Sequence, residues 1–191
     1  MARRCNAFGI AYFRFDHRGC GESEGVFEKD TSLDARCADL ISAVQTIVVR
    51  KDTSDRIGLF GSSMGGAVCI SVAKAVKVAA MVTFAAPIRS RSINKTIETM
   101  DDPKTINPSF DGKNLQFDLS DKLPNLHTIL IFHGEEDQVV PPSNAREIYA
   151  KAGNPKKLIM QKGGDHPMSD IKHQEHFIRE AASWFKNGLV T

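Results

Sequence analysis

The sequence has no apolar run approaching the roughly 20 residues that a membrane-spanning helix needs. Its opening Met1-Ala2-Arg3-Arg4 is not followed by an apolar stretch, so no secretory signal is expected. Internal repeats and low-complexity tracts are absent. A strong excess of one charge is also missing. The 25 Lys+Arg and 23 Asp+Glu give a formal net charge of +2, and the basic residues (Arg3, Arg4, Lys156, Lys157) are scattered, which argues against a nucleic-acid partner. Cys5, Cys20, Cys37 and Cys69 form no Cys-x-x-Cys pair. Cys37 and Cys69 fall in apolar helical stretches, so buried thiols are expected rather than a disulfide framework, and with them a reducing, cytoplasmic setting.

What is present is ordinary globular composition: 41% hydrophobic and 25% charged residues over 191 positions, enough for one domain, 1–191, with its own core. Apolar runs alternate between strand-like and helix-like. Residues 1–9 read as a helix tail closed by Gly9, and residues 10–15 as a strand. A helix capped by Thr31 or Ser32 carries a stripe of Leu33, Cys37, Leu40, Ile41, Val44, Ile47 and Val48. Strands follow at 56–60, 78–85, 127–132 and 157–161. Helices are expected from Ser63 to about Val76, over 143–152, and over 170–186, the last supplying Ile171, Phe177, Ile178, Ala181, Ala182, Trp184 and Phe185 to the core. Strand–helix alternation at this spacing implies right-handed crossovers and a mostly parallel sheet flanked by helices. Residues 88–124 break the rhythm with polar residues and three prolines (Pro103, Pro108, Pro124). They read as a short lid-like insert, with a disordered surface excursion as the alternative.

The stretch Gly61-Ser62-Ser63-Met64-Gly65 lies between a strand and a small-residue helix. A sharp strand-to-helix turn puts Ser63 in a strained conformation with its side chain exposed, and the flanking glycines remove Cβ atoms from the crowded turn. The next N–H, of Met64, points into the same space from a helix N-terminus and suits a developing oxyanion. The same glycines do not make a phosphate loop, because Ala67-Val68 stands where Lys-Ser/Thr is required. Nor does Gly19-x-Gly21 make a dinucleotide fingerprint, since charged residues follow it instead of an apolar helix.

Parallel sheets carry their functional loops beyond the strand C-termini, and three such loops hold Ser63, Asp137 and His166. A serine hydroxyl needs a base, and an imidazole needs an acid to fix its tautomer. Glu135 and Glu136 are alternatives to Asp137 as that acid. Asp165 is expected to shape the turn before His166, His133 to pack at a strand end, and His173 and His176 to lie on a solvated helix face rather than to bind metal. His17 faces the same rim and is a candidate substrate contact.

Gly61-Ser62-Ser63-Met64-Gly65, His133-Gly134-Glu135-Glu136-Asp137-Gln138-Val139-Val140-Pro141 and Gly164-Asp165-His166 resemble the nucleophile elbow, acid loop and histidine loop of the α/β-hydrolase superfamily. Residues 15–28 are similar to bacterial carboxylesterases of the cinnamoyl/feruloyl esterase type and the serine aminopeptidase-like group. The resemblance implies Ser63 as nucleophile, His166 as general base then acid, Asp137 as orienting acid and the Met64 N–H as one oxyanion donor, with no cofactor and no metal. It implies a small-molecule ester substrate cleaved through an acyl-enzyme. A peptide, amide or thioester substrate is the alternative, and a binding module or impaired fragment another. The family's second oxyanion donor precedes its first helix, whereas this chain is expected to begin inside that helix. A central strand and an oxyanion loop are therefore expected to be missing, as in a truncated product. No membrane partner is implied, and a homo-oligomer is allowed.

Overall fold

The computed structural model describes residues 1–90 and 115–190. Four strands, β1 (Gly58–Ser62), β2 (Ala80–Phe84), β3 (Ile129–Gly134) and β4 (Lys156–Gln161), form one sheet in the order β1-β2-β3-β4. Every pairing is parallel, with Phe60 beside Val82, Val82 beside Leu130 and Leu130 beside Lys157. Among the described residues six α-helices accompany them: α1 (Ala2–Ala7), α2 (Phe27–Asp30), α3 (Leu33–Val48), α4 (Met64–Val72), α5 (Ser143–Lys151) and α6 (Ile171–Leu189).

Side chains alternate across a strand, so one sheet feeds two cores. Leu59, Met81, Ile129 and Ile131 pack with Ala67, Val68 and Ile70 of α4 and with Ala145 and Ile148 of α5. Val82, Phe84, Leu130 and Phe132 pack on the other face with Phe177, Ala181 and Phe185 of α6 and with Cys5 of α1. Every residue of β2 and β3 is buried, which fits their mainly apolar sequences, with Thr83 and His133 the polar exceptions. The sheet is parallel and has helices on both faces, as the spacing of strands and helices predicts.

Several local expectations hold and others do not. Gly9 follows α1 at φ +73°, and Ser32 caps α3 through its Oγ, 3.0 Å from the Ala35 N–H. Residues 10–15, expected as a strand, form no ladder with any described residue, and Ile10 N–H donates to Cys5 O at 3.0 Å instead. A strand needs a ladder partner, and this segment has a cavity of about 510 Å³ beside it, lined also by Leu59 and Phe60 of β1 and Val44 of α3. Tyr12 and Phe13 stay 37% and 54% exposed as a result. Leu40, Val44 and Ile47 of the α3 stripe line the same cavity and are only partly buried, and Val48 is 40% exposed. Ile171, expected in the core, is 69% exposed in the first turn of α6.

The insert at 88–124 divides. Residues 91–114, on which the lid expectation mainly falls, lie outside the described residues. Its two stems are packed: Ile88, Leu119 and Leu123 are buried, and Arg89 forms an antiparallel bridge with Asp118. Arg89 also donates to both carboxylate oxygens of Glu147 on α5, at 2.7 and 2.8 Å. The stems are therefore no surface excursion.

Candidate active site

Parallel strands deliver their C-terminal loops to one rim, and Ser63, Asp137 and His166 follow β1, β3 and β4 there. At Ser63 the chain takes φ +50°, ψ −123°, outside the ordinary regions for a residue with a side chain. Its N–H donates to Phe84 O at 2.8 Å, holding the turn to the end of β2, and α4 starts at once with Met64. As the first helical residue, Met64 has an N–H without an intrahelical acceptor.

The glycines of the turn do different jobs. A Cβ on Gly61 would lie 2.2 Å from Gly65 O, and one on Gly66 would lie 2.5 Å from the Ala86 Cβ. A Cβ on Gly65 would meet nothing within 4 Å. The expected need for glycine on both sides of Ser63 thus holds for Gly61, while on the other side the crowded position is Gly66.

His166 Nε2 lies 3.2 Å from Ser63 Oγ, and His166 Nδ1 lies 2.8 Å from Asp137 Oδ2. The carboxylate can only accept, so Nδ1 carries the proton and Nε2 is left to accept from the serine hydroxyl. Asp137 is buried, whereas Glu135 and Glu136 are exposed, so the geometry selects Asp137 from the three acids. Its Oδ1 accepts from the N–H groups of Val139 and Val140 at 2.9 and 2.8 Å. Burial pushes the Asp137 pKa up, but hydrogen bonds from His133, His166 and the Val140 N–H outweigh it and hold the carboxyl well below the usual carboxylate range. Asp165 shapes the turn as expected, accepting from the Ser169 N–H at 2.8 Å and the Ser169 hydroxyl at 2.6 Å.

The remaining histidines are placed differently from one another. His17 does not join this run. Its Nδ1 lies 3.4 Å from Asp39, its ring meets Phe15 edge-on, and burial, followed by the Arg36 charge, lowers its pKa. It lines the cavity that Gly65 also lines. His176, expected on a solvated face, is half-buried, with Nδ1 2.8 Å from Gln161 Oε1 and its ring edge-on to Phe132. His173 is half-buried as well. Among the described residues no group of three or more His, Cys, Asp or Glu could hold a metal ion. His133, expected merely to pack, is fully buried with Nε2 2.8 Å from Val140 O and 3.3 Å from Asp137 Oδ2. The only hint in sequence is its place four residues before Asp137.

A family model described as "Serine aminopeptidase, S33" matches residues 1–105, more than half of the chain. The chain belongs to this family. With it comes membership of the α/β-hydrolase superfamily. Among curated proteins it is 30% identical over 163 residues to the uncharacterized protein YfhR of Escherichia coli K12, covering 81% of this chain and 52% of YfhR. It is 26% identical over 171 residues to the uncharacterized protein Rv2307c of Mycobacterium tuberculosis, covering 87% and 56%. The chain thus spans about half the length of these relatives. Two solved structures share the fold. One is Est1E from Butyrivibrio proteoclasticus with ferulic acid bound (TM-score 0.77, 21% identity, 100% of this chain and 82% of that one). The other is the Paleococcus ferrophilus monoacylglycerol lipase (TM-score 0.72, 19% identity, 97% and 87%).

Proposed function

We propose that this S33-family chain is a serine hydrolase that cleaves a small carboxylic ester through an acyl-enzyme on Ser63. The observation that carries the reading is the unbroken run from Ser63 Oγ through both nitrogens of His166 to Asp137. Ser63 Oγ attacks the ester carbonyl as His166 Nε2 takes its proton. Asp137 holds the Nδ1–H and stabilises the imidazolium that forms. The Met64 N–H, at the start of α4, faces the developing oxyanion. His166 then returns the proton to the leaving alcohol, and water repeats the sequence on the acyl-enzyme to release the acid. Every group needed is a side chain or backbone N–H, so the scheme uses no cofactor or metal. His17, on the cavity beside the elbow, is the proposed substrate contact.

The esterases and the lipase among the structural neighbours support an ester as substrate, and the family's aminopeptidase name supports an amide or peptide as the second reading. The substrate is proposed to be a small molecule met in the cytoplasm, in accord with four free cysteines.

A fluorophosphonate probe tests the nucleophile. Wild type is expected to label, and Ser63→Ala and His166→Ala are expected to lose labelling. A folded wild type that stays unlabelled overturns the proposal in favour of a non-catalytic binding module. Matched p-nitrophenyl esters and aminoacyl p-nitroanilides, run side by side, separate the ester from the amide reading.

A further inference from the structure

Asp137 is approached by two imidazoles, and the scheme above uses only one. His133 is the penultimate residue of β3, with its ring fully buried, four residues before Asp137. Both atoms facing its Nε2 are acceptors: Val140 O at 2.8 Å and Asp137 Oδ2 at 3.3 Å. That nitrogen therefore carries a proton, which it shares between the two. Its Nδ1 is buried with no hydrogen-bond partner. The ring is thus committed to the acid loop through one N–H.

We infer that His133 is a positioning residue, whose Nε2–H holds the Asp137 carboxylate and the 137–140 turn in the orientation that receives His166. The inference rests on the proposed hydrolytic function. Four donors converge on Asp137. Val139 and Val140 N–H hold Oδ1, while His166 Nδ1–H and His133 Nε2–H meet at Oδ2. Oδ2 cannot rotate toward His133 without lengthening the His166 bond, nor away from it without losing the 3.3 Å approach of His133 Nε2–H and leaving that donor to Val140 O alone. Val140 O closes the arrangement. The residue whose N–H fixes Oδ1 presents its carbonyl to the same His133 nitrogen, so carboxylate and turn are held as one piece. The partners of His133 Nε2 are Val140 and Asp137, and His133 does not line the cavity beside the elbow. It acts through Asp137 and the turn that carries it.

The test uses the whole chain and two variants. His133→Leu keeps apolar bulk and removes the donor. His133→Gln keeps an N–H at about the reach of Nε2. His133→Leu is expected to slow fluorophosphonate labelling about tenfold or more, to raise the midpoint of the Asp137 carboxyl 13C titration, and to shift the downfield proton of His166 Nδ1–H. His133→Gln is expected to recover much of each. The inference is overturned by a folded His133→Leu that labels and titrates like wild type, or by a His133→Gln as impaired as His133→Leu, which would mean packing alone. Wild type itself supplies a check that needs no variant to fold, because 15N spectra must show His133 protonated at Nε2. A bare Nε2 overturns the inference. An unlabelled wild type whose Asp137 titration still moves in His133→Leu supports the placement and overturns the hydrolytic reading instead.

Discussion

Gly134 and Gly164 meet back to back: a Cβ on Gly134 would lie 2.2 Å from Gly164 O. The contact joins the loop of Asp137 to the loop of His166. Glu136 N–H donates to Gly164 O at 2.9 Å and Glu135 N–H to Gln161 O at 2.9 Å. Backbone contacts thus bring the two loops together, and the side chains complete the 2.8 Å contact of Asp137 with His166.

Gly134→Ala tests that link. Backbone on both sides must move to admit the methyl, and overpacking of this kind costs about 1–3 kcal/mol. The variant is expected to lose stability in urea unfolding and to lose more labelling rate than stability explains, because the two loops are pushed apart.

The elbow gives a contrast between two glycines. Gly61→Ala places a Cβ against Gly65 O and is expected to be among the most damaging substitutions in the chain. Gly65→Ala opens onto free space in the first turn of α4, where alanine is favoured over glycine by about 1 kcal/mol. Thermal unfolding should rank them on opposite sides of wild type, and equal losses would contradict this account of the turn.

Catalytic loss should be graded along the hydrogen-bonded run. Ser63→Ala and His166→Ala are each expected to cost roughly 10⁴- to 10⁶-fold in kcat/KM, and Asp137→Asn roughly 10³- to 10⁴-fold, because an amide N–H facing Nδ1 favours the wrong tautomer. Combining Ser63→Ala with His166→Ala should cost little more than either alone, since the groups act as one unit.

Asp137 also links stability to pH. Its folded pKa lies well below the usual carboxylate range, so near pH 4 the unfolded chain binds more protons than the native one. The stability it contributes is fully present above the unfolded value of about 3.9 and is lost as pH falls toward the folded value. The stability gap between wild type and Asp137→Asn should thus be widest near neutrality and narrow below about pH 4. A gap that widens on acidification would reverse the sign.

Glu147 anchors the stem at Arg89 from α5. Its carboxyl is pulled down to about 2 by hydrogen bonds from Arg89 and then Lys151. Both partners are partly exposed, so solvent screens the pair. Glu147→Gln is expected to cost about 1 kcal/mol, with the loss shrinking at high salt and disappearing as pH falls below the ordinary glutamate range toward 2. Denaturant titrations at two ionic strengths measure both effects.

Element types and their order were legible in sequence because the hydrophobic period of a strand or helix is local. The runs that became β1 to β4, the Ser32 cap and the Phe177–Ala181–Phe185 face of α6 needed no information from elsewhere in the chain. The residue types of the site were legible too, since Ser63, Asp137 and His166 each follow a strand and parallel strands end at one rim. Only the tertiary structure decided what depends on a neighbour distant in sequence. Residues 10–15 have strand-like sequence but no strand, because hydrogen-bond pairing belongs to two segments at once. Asp137 was separated from Glu135 and Glu136 by burial and by His166, 29 residues away. Gly65 and Gly66 exchanged roles because Ala86 stands over one and open space over the other. His133 passed for core because its period matches the strand, and its bond to the acid exists only where the turn after β3 folds back over its ring.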